Sequence, residues 1–130
     1  MFADRQSSVL VVDDEEVIRR LVQDTLLSFG YSVFLASDGE EALELLEEKV
    51  NEIDLVILDV VMPGLKSSQV LQRMKELDSS LPVIVSSGFD IEGPVRELLD
   101  MGAVKFIEKP YRVEDLIQAV EEVLGKRGKR

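Results

Sequence analysis

The stretch IDLVILDVVMPG, residues 53–64, decides the fold. It opens with an almost continuous apolar run over 53–58, which is too short for a typical helix and ends directly at Asp59. Such a run suits a strand that helices cover on both faces, and strands of that kind belong to parallel sheets. Four further short runs rich in branched residues predict the remaining strands, at 9–12, 32–36, 82–85 and 104–107.

Helices are predicted in the segments that separate these runs. Apolar residues recur there at helical spacing, at Val17, Leu21 and Leu26–Leu27, at Ala42, Leu45 and Leu46, at Val70, Leu71, Met74 and Leu77, at Val95, Leu98 and Leu99, and at Leu116, Ile117, Val120 and Leu124. Strand and helix alternating five times predict one α/β domain with a doubly wound, five-stranded parallel sheet and five helices. Its functional groups are expected beyond the carboxyl ends of the strands.

Single residues mark the expected starts and ends of the helices. Asp38 is expected to cap the start of the second helix, and Pro94 to lie in the first turn of the fourth. Gly30, Gly102 and Gly125 are expected to follow the ends of the first, fourth and fifth helices.

The composition of the chain limits the kinds of function it can have. At 130 residues with 45% hydrophobic and 32% charged residues, the chain matches a single soluble domain. No apolar run approaches the ~20 residues that span a bilayer, and the start MFADRQSSVL has no signal-peptide run, so a cytoplasmic location without membrane contact is expected. The chain has no cysteine and no histidine, which leaves carboxylates, hydroxyls and lysines as reactive groups. A net charge of −11 argues against direct binding to nucleic acid.

Polar residues cluster where the predicted strands end. Asp13 and Asp14 follow the first strand, Asp59 the third, Ser87 the fourth and Lys109 the fifth. A helix cap or a turn would explain any one of these residues alone. The ends of parallel strands meet at one edge of the sheet, however, so polar residues at four of them favour a functional site. Three carboxylates there predict a hard cation, best Mg²⁺, and a hydroxyl with an ammonium beside them suits a phosphoryl group.

Four motifs at these strand ends resemble those of a known family. They are VLVVDDEE (9–16), IDLVILDVVMPG (53–64), PVIVSSG (82–88) and GAVKFIEKP (102–110). Over residues 8–124 the chain resembles the receiver domains of two-component response regulators and hybrid histidine kinases. The resemblance implies a flavodoxin-like fold with strand order 2-1-3-4-5. Residues 1–7 would then be an N-terminal extension, and 125–130 a basic tail or a truncated linker.

The resemblance implies a role for each carboxylate. Asp59 would be the phosphoacceptor. Asp14 and Asp59 would bind Mg²⁺ directly, Asp13 largely through a metal-bound water, and the backbone carbonyl of Val61 would complete the protein ligands.

It also implies a switch. Ser87 would be the hydroxyl that turns towards the phosphoryl group, Phe106 the aromatic residue whose rotamer follows it, and Lys109 the ammonium partner of the phosphoryl group. Pro110 would form the family's cis peptide bond, which costs only ~1 kcal/mol before proline.

A regulatory domain of this kind needs partners and is not an enzyme in its own right. The phosphodonor would be a histidine kinase or a phosphotransfer protein, acting in trans because the chain has no histidine. Output would pass through the face of helix 4, strand 5 and helix 5 to a downstream protein or an attached domain, and homodimerisation is open. A free-standing receiver and a fragment of a hybrid kinase both fit the sequence.

Two alternatives from other classes stay open at this point. A phosphorylation-independent interaction module would not need the polar residues at the strand ends, which are Asp13, Asp14, Asp59, Ser87 and Lys109. A Mg²⁺-dependent phosphohydrolase with an aspartyl nucleophile would share the carboxylates, but it would need a second acid and a substrate-covering cap, for which 130 residues leave little room.

The sequence departs from the family after Gly64. The family continues with a hydrophobic residue and then Asp-Gly, whereas this chain has LKSS at 65–68, where Ser67 or Ser68 is expected to cap the third helix. Val61 and Phe89 flank the expected path of hydrolytic water and cannot orient it by a hydrogen bond, so slow self-dephosphorylation is predicted. Loss of phosphate that is no faster in a Val61→Asn, Phe89→Glu variant would exclude this idea.

Overall fold

The computed structural model describes residues 6–88 and 93–128. Within this part of the chain, strands and helices alternate strictly: β1 (Ser8–Val12), α1 (Glu16–Ser28), β2 (Ser32–Ala36), α2 (Gly39–Glu48), β3 (Leu55–Asp59), α3 (Ser67–Leu77), β4 (Val83–Ser87), α4 (Pro94–Asp100), β5 (Lys105–Glu108) and α5 (Val113–Gly128). No helix in the described ranges is long and apolar enough to cross a membrane.

The strands form one parallel sheet in the order β2-β1-β3-β4-β5. Val11 of β1 pairs with Leu35 on one side and with Ile57 on the other, so β1 lies between β2 and β3, and β3 is the middle strand of the sheet. The doubly wound architecture and the strand order predicted from the sequence are thereby confirmed.

Each face of the sheet has its own hydrophobic core. The α2/α3/α4 core joins one set of strand side chains, such as Leu58 and Val85, to buried residues of α2, α3 and α4. The α1/α5 core joins the alternate set, such as Ile57 and Ile84, to buried residues of α1 and α5. This double burial explains why β1 and β3 are apolar at every interior position.

Three strands end later than the apolar runs predicted. The third was expected at 53–58, the fourth at 82–85 and the fifth at 104–107, whereas β3, β4 and β5 reach Asp59, Ser87 and Glu108. The ladder continues through polar residues, because Asp59 pairs with Ser86 and Ser87 with Glu108. A criterion based on apolar side chains misses these last rungs, which are made by the backbone.

The predicted buried face of α1 is wrong in part. Leu26 is buried, but Val17 is 78% exposed, Leu21 45% exposed, and Leu27 also faces solvent. The helix instead buries Val22 and Thr25 beside Leu26. Two apolar stripes compete on this helix, and the sheet selects only one of them.

Four of the six residues that the sequence predicts at helix ends lie where they were expected. Asp38 caps α2 by accepting a hydrogen bond from the Glu41 amide at 2.9 Å, and α4 begins at Pro94. Gly30 and Gly102 follow α1 and α4 with positive φ angles of 93° and 116°, the left-handed backbone that favours glycine. The prediction for Gly125 is wrong, since α5 continues to Gly128. A glycine inside a helix costs only ~1 kcal/mol, so it does not have to end one.

The start of α3 also differs from expectation. The N-cap residue is Lys66, and Ser67 and Ser68 are already helical. The side chain of Gln69 reaches back and accepts a hydrogen bond from the Lys66 amide at 3.2 Å. This contact replaces the serine cap that was predicted.

Candidate functional site

Two carboxylates are buried at the carboxyl end of the central strands. Asp59 is the last residue of β3 and is 4% exposed, and Asp13 follows β1 directly and is 2% exposed. The Asp13 amide donates to the Ala36 carbonyl of β2 at 3.1 Å, which extends the sheet by one residue and fixes the Asp13 backbone. The predicted convergence of the strand ends is therefore present for these residues.

Asp14 completes an acidic cluster with Asp13 and Asp59. One ligand oxygen from each residue lies within 4.8 Å of the other two. Three carboxylate oxygens at this spacing are the donor set of a hard divalent cation, and the exposed Asp14 leaves room for water ligands, which Mg²⁺ retains. The residues present therefore fit the magnesium site predicted from the sequence.

Lys109 supplies the positive charge of the site. Its Nζ lies 2.8 Å from Asp13 Oδ2, 3.3 Å from Asp59 Oδ2 and 3.5 Å from Glu15 Oε1. Its amide donates to the Ser87 carbonyl at 2.9 Å, and the bond between Lys109 and Pro110 is cis, as predicted. We call Asp13, Asp14, Asp59 and Lys109 together the carboxylate pocket.

The pocket shifts the proton affinity of its members. Burial and the neighbouring Asp13 raise the pKa of Asp59 to about 6, although Lys109 and the Val61 amide act in the opposite direction. Burial alone would lower the pKa of Lys109, but its hydrogen bond to Asp13 and the charges of Asp59 and Asp13 raise it above the usual value for lysine. Lys109 is therefore protonated at neutral pH, and a cation beside Asp59 would favour the charged form of its carboxylate.

The pocket opens into a solvent cleft of about 400 Å³. Its lining includes Asp14, Asp59 and Lys109, together with Glu15, Val61 and Gly88. The Val61 amide donates to Asp59 Oδ1 at 3.3 Å, while the Val61 side chain is exposed at the mouth. A small anionic group can therefore reach Asp59 from solvent.

Ser87 and Phe106 lie on the neighbouring strands β4 and β5, and Ser87 is bound to Lys109 of the pocket. Ser87 is buried at the end of β4, and its carbonyl accepts the Lys109 amide. Phe106 pairs in register with Val85 and is half-buried against the α2/α3/α4 core. Their roles as switch residues stay a prediction, and Phe89 lies outside the described residues.

Sequence reasoning missed three residues around the pocket. Glu15 contacts Lys109, and Arg19 of α1 donates from Nη1 to the Asp13 carbonyl at 2.6 Å. Tyr111 packs against the α1/α5 core, where burial raises its pKa to about 12. Glu15 could have been found from its place beside Asp13 and Asp14, but nothing in the sequence distinguishes Arg19 from Arg20.

Comparison with known proteins identifies the family. The sequence model of the response regulator receiver domain family matches residues 9–121 of this chain. The chain therefore belongs to the response regulator receiver domains, which are regulatory domains of two-component systems.

Individual relatives agree with this assignment. Sporulation initiation phosphotransferase F of Bacillus subtilis is 31% identical over 89% of this chain and 92% of its own length. The uncharacterized transcriptional regulatory protein YkoG of the same organism is 37% identical over 92% of this chain but only 52% of its own length. A receiver domain protein of Clostridium thermocellum has a similar structure, with a TM-score of 0.88, 29% identity and coverage of 94% of this chain and 97% of its own. The chain spans about half the length of the first curated relatives that it matches.

Proposed function

We propose that this receiver domain is a phosphorylation switch in which Asp59 accepts a phosphoryl group from a phosphohistidine of a histidine kinase or a phosphotransfer protein. The observation that carries the proposal is the contact between the Lys109 ammonium and Asp59, at 3.3 Å, beside the two further carboxylates. A purely structural salt bridge needs one carboxylate, whereas three carboxylates and one ammonium suit a phosphoryl group held with a divalent cation.

The chemistry follows from the position of Asp59. Its carboxylate oxygen attacks phosphorus, the P–N bond of the donor breaks, and the electron pair stays on the nitrogen. The donor leaves as neutral imidazole, provided that the other ring nitrogen carries a proton. The product is an acyl phosphate on Asp59, and the same attack on acetyl phosphate would release acetate.

The other carboxylates of the pocket would hold a cation, and Lys109 would supply positive charge during transfer. Mg²⁺, held by Asp13, Asp14, Asp59 and the backbone carbonyl of Val61, would offset the charge of the transferring group. The Lys109 ammonium is already within reach of Asp59 and would bind a phosphoryl oxygen. Because the transition state of phosphoryl transfer is loose, alignment and charge neutralisation are the main requirements.

Output would depend on Ser87 and Phe106. The Ser87 hydroxyl would turn towards the phosphoryl group, and Phe106 would move inward behind it. Phe106 is half-buried, so its ring still has surface to bury, and the face of α4, β5 and α5 would change with it. A phosphoryl group of this kind shifts the population of two existing states.

The partner that responds to this change of the α4, β5 and α5 face would be a downstream protein, an attached domain or a second copy of the chain. Many relatives of this domain are about twice its length, which supports an attached domain in at least some of them. The domain boundaries at 8–124, the cytoplasmic location and slow self-dephosphorylation also stay predictions.

The proposal is tested by intact mass after incubation with acetyl phosphate, with and without Mg²⁺. We expect one added phosphoryl group that requires Mg²⁺ and is absent from Asp59→Asn. Asp24→Asn is the matched control, because Asp24 is an exposed aspartate of α1. If neither acetyl phosphate nor a competent phosphohistidine protein modifies the chain, the interaction module is the better account. Continuous release of phosphate from phosphomonoesters would instead favour the phosphohydrolase.

A further inference from the structure

We infer that Arg19 is a positioning residue that holds the turn between β1 and α1 and thereby sets the affinity of the carboxylate pocket for a divalent cation. The inference rests on the proposed metal site. Its starting point is the contact from Arg19 Nη1 to the backbone carbonyl of Asp13 at 2.6 Å. Arg19 is half-buried and belongs to the first turns of α1.

The turn carries two of the three carboxylates and is held from several directions. The pairing of β1 with its neighbours ends at Val12, so the carbonyl of Asp13 lies beyond the ladder. The Asp13 amide is bound to Ala36 of β2, and the carbonyl is bound to Arg19. Both backbone groups of Asp13 are thus fixed, one by the sheet and one by the helix.

Arg19 leaves the carboxylate of Asp13 to other partners. Asp13 Oδ1 accepts the Glu15 amide at 2.9 Å, and Asp13 Oδ2 faces Lys109. The guanidinium therefore orients the backbone, while the side-chain oxygens stay directed to the pocket. Hydrogen bonds from charged donors are about twice as strong as neutral ones, which makes this contact suited to fixing a turn.

Arg20 provides a matched comparison on the same helix. It carries the same charge, but its side chain is 72% exposed and its nearest acidic partner is Glu16 at 3.7 Å. Such an exposed pair contributes little to structure. Replacing either arginine by glutamine removes one positive charge, but only Arg19→Gln releases the turn.

The two explanations predict effects of opposite sign. If Arg19 acts only as a charge, its removal makes the pocket more negative and strengthens Mg²⁺ binding. If Arg19 positions the turn, its removal weakens Mg²⁺ binding, and partners that orient metal ligands typically change metal affinity by about 10- to 100-fold. We expect a loss of roughly 10-fold, the low end, because the sheet still holds the Asp13 amide.

The test is calorimetric titration of Mg²⁺ at constant ionic strength, which measures the Mg²⁺ affinity of the wild type, Arg19→Gln, Arg19→Lys and Arg20→Gln. We expect weaker binding in Arg19→Gln, partial recovery in Arg19→Lys, and unchanged or slightly tighter binding in Arg20→Gln. At saturating Mg²⁺, the rate of phosphorylation of Arg19→Gln should return to within about 2-fold of the wild type, because the acceptor itself is intact.

A second measurement does not depend on the metal. Hydrogen exchange of the Glu15 amide, which binds Asp13 Oδ1, should become faster in Arg19→Gln without Mg²⁺ and stay unchanged in Arg20→Gln. Equal Mg²⁺ affinity in the two glutamine variants, or equal exchange at Glu15, would overturn the role of Arg19. Failure of the wild type to bind Mg²⁺ would instead remove the proposed metal site, and the exchange measurement would then decide the role of Arg19 in the turn.

Discussion

The interior of the central strands and their carboxyl ends differ sharply, although they belong to the same short segments. Within β3, Leu55, Val56, Ile57 and Leu58 are buried among apolar side chains of the two cores. The next residue, Asp59, is equally buried but faces Asp13 and Lys109. The interior stabilises the fold, whereas the end of the strand places like charges together at a cost in stability. A functional site and a stable core therefore share one strand, and a cation at the end of the strand would reduce that cost.

The largest effect is expected from the interior. Ile57→Ala removes a buried side chain of the α1/α5 core and should lower the free energy of unfolding by about 2–5 kcal/mol, measured by urea denaturation. Val104→Ala, at a residue that is half exposed, should change it by less than ~0.5 kcal/mol. Similar losses in both variants would mean that burial in the sheet does not dominate stability.

The second effect comes from the cation. If the carboxylate pocket binds Mg²⁺ only in the folded state, Mg²⁺ at about 100 times its Kd should raise the free energy of unfolding by about 2.7 kcal/mol. The measurement is thermal denaturation in MgCl₂ against NaCl of equal ionic strength. Asp13→Asn should lose most of this gain. An equal gain in that variant would argue that Mg²⁺ acts by general screening of the acidic surface.

A smaller gain in the free energy of unfolding is expected when the charge of Asp59 is removed. Asp59→Asn should raise the free energy of unfolding by on the order of 1 kcal/mol at pH 7.5 in EDTA, because burial and Asp13 disfavour the charged carboxylate. Asp24→Asn, on the surface of α1, should leave stability nearly unchanged. A less stable Asp59→Asn protein would show that the ion pair with Lys109 outweighs the crowding.

The smallest expected effect is the change with pH in the stability difference between Asp59→Asn and the wild type. The pKa of Asp59 is about 6 in the folded protein against 3.8 for an ordinary aspartate, so the folded state binds the extra proton between these values. The contribution of Asp59 to stability is therefore present at low pH and is lost as pH rises through 6. The difference in stability between Asp59→Asn and the wild type in EDTA should shrink between pH 7.5 and 5. The carboxyl carbon of Asp59, followed by NMR, should titrate near pH 6, and a midpoint near 4 would contradict this account.

Much of this arrangement could be predicted from the sequence because two simple rules apply. Apolar runs located the strands, and parallel strands bring Asp13, Asp59 and Lys109 to one edge whatever the details of the loops. The exposed side of α1 could not be predicted, because Val17 and Leu21 have helical spacing as regular as that of the buried Val22 and Leu26. Only the position of the helix on the sheet decides between the two stripes.

Contacts with backbone atoms were also beyond the reach of the sequence. Arg19 binds a carbonyl whose direction depends on the shape of a turn, and Gln69 binds an amide at a helix start that was predicted to need a serine. The last rungs of β3 and β4 are made by backbone groups of polar residues. In each case the partner is a backbone group that nearly every residue has, so residue type carries no signal.

The contacts of Lys109 have a consequence for how the protein is made. Its side chain touches Asp13, Glu15 and Asp59, and its amide binds Ser87, so one residue that follows β5 joins segments that extend back to the end of β1. During synthesis the carboxylates leave the ribosome before the lysine that neutralises them. Contacts between residues so distant in sequence form late and depend on the rest of the sheet. A chain that stops short of β5 would thus have the acidic residues without their ammonium, and competence for phosphorylation would report that the whole sheet has folded.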